Sequence, residues 1–379
     1  MDERNLCNSP RYYLLYFLLT LSFPIVSQSI NESLNYTVLF NGNTDTTVSC
    51  YRIPAIITAK NGDLIVAIDE RVPSCGDLKW SDDINIVIRR STDNGNTWSD
   101  IRSIVDYSTG QSASDPSMIL NENTGEIILF FNYMDLRNER DVYYLKIMKS
   151  KDHGKIWSTP RDITDQISKP EWKNDFKFIT SGRGIYHSNG DLIHTLVNLE
   201  HGTHLFKSSD NGKMWQLIDS PIIPGDESKV IELADGSLMV NSRVNKSGSR
   251  YIHRSQDYGM TWTSTSDSQL IDPSCNASII RYTSEKNGWD KNRLLFSNAN
   301  APDKRENMTI KISYDEGITW TSGKTIYPGS SAYSSMTILE NGDIGLVFEK
   351  DNYQETVFVK VTLDYLTDGM DKASRVKND

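Results

Sequence analysis

Guanidinium, carboxyl and phenol side chains occur in this chain at points where they could grip an anion and move a proton. Arg52 lies in YRIPAI at Tyr51, and Arg71 and Asp77 follow in DERVPSCGDLKW. Asp115 sits in SASDPSMI, Glu227 and Glu232 share GDESKVIEL, and Arg243 ends VNSR. Arg305 lies in NAPDKRENMTI, Tyr333 in SAYSSMTIL and Glu349 in LVFEK. A planar guanidinium fork offers two parallel N–H bonds to a carboxylate, which a lysine point charge does not. Carboxyls and a phenol are the groups that could then serve as acid, base or nucleophile. Taken singly, each arginine reads as a solvated surface residue.

What is missing narrows the chemistry. There is no C-x-x-C pair, no H-E-x-x-H and no phosphate-binding Gly loop. The histidines (His153, His187, His194, His201, His204 and His253) are dispersed, and H-G-T-H at His201 reads as a loop rather than a ligand pair. An enzyme built from these groups is expected to need no cofactor and no metal. A formal charge of −10 argues against a nucleic-acid binder, since affinity for phosphate backbones comes from lysine and arginine. A few clustered arginines still suffice for a small anion, because the local field matters more than net charge.

The elements that must position these groups announce themselves as a repeat. STDNGNTW, SKDHGKIW, SSDNGKMW, SQDYGMTW and SYDEGITW begin at residues 91, 150, 208, 255 and 313, and share S-x-D-x-G-x-x-W. Ser and Asp can cap local backbone N–H groups, Gly takes positive φ, and Trp anchors the turn on a core. The acidic residues of these boxes are therefore assigned a structural role. Between the boxes lie apolar runs DLIVAI, EIILFF, DLIHTLV, SLMV, RLLFS and IGLVFE, five of them preceded by turn signals such as NGD. The box spacing divides the chain into about six units. Short antiparallel strands at this period imply an all-β fold, a six-bladed β-propeller with the ligand site near its axis. No Pro-rich or Gly/Ser-rich linker supports a split into two domains. Because the first box begins only at Ser91, the first unit is expected to be completed in part from the C-terminal end.

With YRIP in front of five such boxes, the sequence resembles the bacterial-type exo-sialidases (neuraminidases) over essentially all of the chain after its leader. That resemblance implies the sialidase propeller and removal of terminal sialic acids from glycoproteins, glycolipids or oligosaccharides. Arg52, Arg243 and Arg305 match the family's arginine triad, which grips the substrate carboxylate, and Glu349 matches the carboxylate that orients the first arginine. Asp77 matches the general acid, which must be neutral with substrate bound and so be buried beneath the leaving group. Arg71 and Asp115 would contact the C4 oxygen of the sugar. Tyr333 matches the nucleophile and Glu227 its base, with Glu232 in the same segment as the rival base. A neutral phenol avoids the repulsion a carboxylate would meet at an anomeric carbon that already carries one, and sialidases are the tyrosine exception among glycosidases. Phe131, Trp172, Phe176 and Phe178 are all available for an N-acetyl pocket. Hydrolysis with retention leads; a trans-sialidase or anhydro-forming enzyme on the same scaffold, or a non-catalytic sialic-acid-binding propeller, are the alternatives.

The ends frame a secreted protein. Tyr12 to Val26 is an apolar run of 15 residues, too short for a comfortable membrane span of about 20, so residues 1–29 read as a signal peptide, with an uncleaved anchor as the alternative. Residues 30–367 form the propeller and 368–379 a loose polar tail. Cys50 and Cys75 are either bridged or two buried thiols. Five N-x-S/T sequons begin at Asn31, Asn35, Asn245, Asn276 and Asn307.

Overall fold

The computed structural model describes residues 34–44 and 47–376, so the proposed leader and Asn31 lie outside the described residues. Each of the six apolar runs forms a strand near the expected place, among them Leu64–Arg71, Ile127–Asp135, Leu192–Asn198 and Leu238–Ser242. Each is the second strand of an antiparallel set. Cys50–Thr58, Leu64–Arg71, Ile84–Ser91 and Arg102–Val105 form the first sheet in chain order, and Ser228–Glu232, Leu238–Ser242, Ser249–Ser255 and Thr263–Ile271 form another. Two five-stranded sheets lie between them in sequence. The last sheet has seven strands, because Lys324–Ile338 pairs with Glu306–Ser313 through its first half and with Ile344–Lys350 through its second.

The sheets follow one another in a propeller-like arrangement. Ile65, Ala67 and Ile86 of the first sheet pack on Met118, Leu129 and Phe131 of the next. Equivalent apolar layers join each later sheet to its successor. Leu64, Val66 and Ile68 on the other face of the first sheet meet Leu339, Val347 and Phe358 of the last. A strand covered on both faces loses the apolar/polar alternation, which is why LIVAI and IILFF read as continuous apolar runs. Each fully buried isoleucine or leucine in these layers contributes about 1.5–3 kcal/mol.

Closure differs from the expectation. The first sheet is complete within residues 50–105, and the strand Tyr36–Asn41 instead adds to Glu355–Val361 of the last sheet. The tail also differs. Asp371 is buried and accepts from Arg293 Nε and Nη2, both at 2.7 Å, while Arg375 lies over the Trp289 ring. Arg293 is fully buried and needs those anions, so the segment through Arg375 is docked rather than loose.

The five boxes are the turns expected of them. In each, the Ser Oγ accepts the Gly N–H at 2.7–2.9 Å and donates to the Asp carboxylate. The Asp in turn accepts the backbone N–H four residues on, for example from Thr97 at 2.9 Å. These bonds hold the Asp93 carboxyl down at about 2. The residue before each Gly also has positive φ, so the turn needs two left-handed residues in succession.

Candidate active site

Arg52 lies near the start of Cys50–Thr58 and Glu227 just before Ser228–Glu232, while Arg71 and Glu349 lie at or near the ends of Leu64–Arg71 and Ile344–Lys350 and Arg243 just after Leu238–Ser242. Two bulges re-aim the first of them. Register slips between Arg52 and Ala55, where Ile53 is forced to φ 63, and again between Ser114 and Ser117, where Asp115 has φ 62. Positive φ in a β-branched residue is strained and persists only when surroundings over-determine it. Here Glu349 supplies the restraint: its Oε1 accepts from Ile53 N at 2.8 Å and Arg52 Nε at 2.7 Å, and its Oε2 from Tyr333 N at 3.1 Å.

Tyr333 stands at the centre. Its Oη donates to Glu227 Oε1 at 2.5 Å, and Arg243 Nη1 reaches Glu227 Oε2 at 2.6 Å and the phenol oxygen at 3.4 Å. The guanidinium carbons of Arg52 and Arg305 lie 5.8 and 5.5 Å from the Tyr333 ring centre. Burial, and next the Glu227 carboxylate, push the phenol well above its ordinary value, against the pull of Arg243 and Arg305. The structure thus brings together Arg52, Arg243, Arg305, Glu227, Tyr333 and Glu349. Glu232 is excluded as Tyr333's partner. It is five residues further along an extended strand, about 16 Å at 3.3 Å per residue, and bonds Ser188 N and Oγ toward the other face.

Asp77, Asp115, Glu227, Arg243 and Tyr333 line a cleft of about 200 Å³. Phe176 and Phe178 line it too, whereas Phe131 is fully buried in the sheet interface and Trp172 is buried against His201 and His204. Two of the four N-acetyl candidates are therefore core residues. Arg71 also departs from its expected role. It is fully buried, gives Nε and Nη2 to Asp69 at 3.2 and 2.9 Å and Nη1 to Asp77 at 2.7 Å, and so has no surface to offer a sugar oxygen. The Asp77 side chain, expected beneath a leaving group, is 66% exposed.

Some site residues were not foreseen. Asp69 joins Arg71 to Ser114 Oγ and Asp115 N, and burial, with Asp69 beside it, drives the Asp115 carboxyl well above the ordinary range. Tyr353 receives Arg305 Nη1 at 3.3 Å and lies under Arg52. Lys229, on the Glu227 strand, is buried with Nζ on Asn276 Oδ1 at 2.6 Å, and burial pulls its ammonium down to about 7. That bond, and one from Asn276 to Ser181, close the sequon at Asn276 inside the fold. The acid in LIVAIDER was the one sequence signal for Asp69, a charge at the end of a strand buried on both faces. For metal, Asp175, Glu200 and His201 each present a ligand atom within 4.8 Å of the others, beside the cleft-lining Phe176 and Leu199. Of the H-G-T-H segment read as a loop, only His201 lies in a turn; Gly202, Thr203 and the buried His204 belong to the strand Gly202–Ser208.

Cys50 and Cys75 are bridged, so the Asp77 loop is tied to the strand that carries Arg52. The bridge closes a separation of 25 residues and is worth about 3.5 kcal/mol in the chain-entropy account. Replacing both cysteines with alanine is expected to lower the denaturant midpoint accordingly. An unchanged midpoint would mean that packing alone holds the loop.

Comparison with known proteins agrees with this geometry. Residues 76–346 match the BNR repeat-like domain family. A sialidase of Bacteroides fragilis (strain YCH46) is 31% identical over 334 residues, covering 80% of this chain and 61% of that protein. A sialidase of Micromonospora viridifaciens is 34% identical over 329 residues, covering 79% and 50%. Among solved structures, the Hadza microbial sialidase Hz136 has a TM-score of 0.78 at 28% identity, covering 87% of this chain and 69% of that one. The chain belongs to the BNR repeat-like domain family. It spans between half and about three-fifths of the length of the two curated relatives.

Proposed function

We propose that this chain is an exo-α-sialidase that hydrolyses terminal sialic acids from glycoproteins, glycolipids or oligosaccharides with retention. The observation that carries this reading is the Tyr333 phenol bonded to Glu227 among three arginines. In this mechanism Arg52, Arg243 and Arg305 bind the substrate carboxylate. Glu227 takes the Tyr333 proton as the phenol oxygen bonds to the anomeric carbon, and the glycosidic bond breaks as Asp77 protonates the departing oxygen. The exposure of Asp77 fits an acid that is desolvated only when the leaving group covers it. Asp77 then takes a proton from water, whose oxygen displaces Tyr333, and the phenolate recovers its proton from Glu227. Asp115 would bind the sugar at C4, while Arg71 acts through Asp77, and Phe176 and Phe178 would receive the N-acetyl methyl.

Splitting the seven-stranded sheet in the middle of Lys324–Ile338 gives two four-stranded units and a count of six blades, in keeping with the repeat spacing. An oxidising compartment, reached through a leader over residues 1–29, is supported by the Cys50–Cys75 bridge. Among the described residues no helix is long and apolar enough to cross a membrane.

The test is release of fluorophore from a 4-methylumbelliferyl sialoside, with the freed sugar followed by proton NMR. The α-anomer is expected first. A dehydrated or acceptor-linked product would replace hydrolysis with the transferase reading, and binding without release would make the protein a lectin.

A further inference from the structure

Tryptophan in this fold is an anchor with one exception. The five box tryptophans are buried or half-buried, as are Trp172 and Trp289, but Trp80 is 62% exposed, alone among the tryptophans. It lines the cleft three residues after Asp77, on the single turn Leu78–Trp80. Packing does not account for it, because the turn is fixed by other means. Leu78 is buried with Met134, Leu136 and Tyr143, the backbone N–H of Trp80 donates to the Asp77 carbonyl at 2.7 Å, and the bridge from Cys75 holds the preceding loop. Leu199, 50% exposed, is a second bare apolar side chain on the same cleft. A large exposed apolar surface at the mouth of a site marks a contact to something else.

We propose that Trp80, with Leu199, forms the subsite for the leaving group and takes the apolar C–H face of the neutral sugar to which sialic acid is joined. The proposal rests on the reading of Asp77 as the acid. A proton donor must sit at the glycosidic oxygen, so the leaving group begins within reach of Asp77, and the next open surface on that loop is the indole. The charge next to it is cancelled, since Lys79 Nζ, 5.9 Å from the indole, pairs with Asp141 at 2.7 Å, which suits a neutral ring rather than an anionic one. A turn held at both ends fixes the backbone that carries the ring, so binding need order only the indole's own side-chain torsions.

The test compares wild type with Trp80→Ala and Trp80→Phe in two measurements. One is kcat/KM on sialyllactose, which carries a neutral disaccharide leaving group, and the other is the Kd of 2,3-didehydro-sialic acid, which has none. Trp80→Ala is expected to lower kcat/KM roughly five- to tenfold, the scale of one aromatic contact, with Kd unchanged and most of the loss restored in Trp80→Phe. Unchanged kcat/KM in Trp80→Ala, or an equal loss in both measurements, would overturn the subsite while leaving the sialidase reading standing. A wild type that neither cleaves sialyllactose nor binds the inhibitor would overturn that reading and the subsite with it.

Discussion

Tyr333→Phe is expected to lower sialoside turnover by roughly a thousandfold or more while leaving the affinity for 2,3-didehydro-sialic acid within a few-fold of wild type. The substitution removes one oxygen and little else. The ring that faces Arg52 and Arg305 remains, and Glu227 keeps its 2.6 Å bond to Arg243, so no buried carboxylate is left without a partner. Lost is the atom proposed to bond to the anomeric carbon, together with the proton that Glu227 would take. Burial raises the phenol far above neutral pH, so attack by Tyr333 requires a base, and Glu227 at 2.5 Å is the group in position. Single-turnover kinetics beside inhibitor titration would decide the matter. Near-normal turnover would remove Tyr333 from the reaction and leave water as the attacking group.

Glu349→Gln should damage folding and binding together. The carboxylate is buried and accepts three N–H groups, two on Oε1 and one on Oε2, and it is the anion paired with Arg52. A glutamine has one acceptor oxygen, so either the Tyr333 N–H or the Arg52 and Ile53 pair must face an NH₂ group. Breaking one side of a buried ion pair costs about 3–5 kcal/mol. Equilibrium denaturation is expected to show a loss of that size, and inhibitor titration at a temperature where the variant is folded a loss of at least roughly tenfold. Wild-type stability would mean that the charge on Glu349 is dispensable and that shape alone orients Arg52.

The sequence was most legible where a residue's role is settled by its immediate neighbours. Every partner of the box Ser and Asp lies within a few residues, so the turns could be read directly, and the strands followed from the apolar runs between them. The arginines were readable only in company: Arg243 in VNSR says nothing by itself, and its partners Glu227 and Tyr333 are 16 and 90 residues away. Glu227 and Glu232 share one segment and one residue type, and what separates them is which end of a strand faces the cleft. Tyr353 and Asp371 are illegible for the same reason, each working through an arginine 48 or 78 residues away, and Asp69, although paired with the nearby Arg71, takes its place in the site through Ser114 and Asp115, 45 and 46 residues on. Asn276 shows the converse, a clear local signal cancelled by burial. Arg71 departs from its expected sugar contact because a motif position carries no information about solvent exposure.

Arg52 and Glu349 stand 297 residues apart, on the two sides of the seam where the ring shuts. Tyr333 lies on the late side and Arg52 on the early side. A growing polypeptide therefore acquires Arg52, Arg243, Asp77 and Glu227 long before Tyr333, and Ile53 has no reason to hold its strained backbone until Glu349 arrives. Domains generally fold as units, and this one is not a complete unit until its last strands have been made. Here that order leaves an open arc with no working centre. The proposed catalyst comes into being in one late step, when the seam closes, and any cut that lets Tyr36–Asn41 leave Glu355–Val361 loosens the seam on which that centre depends.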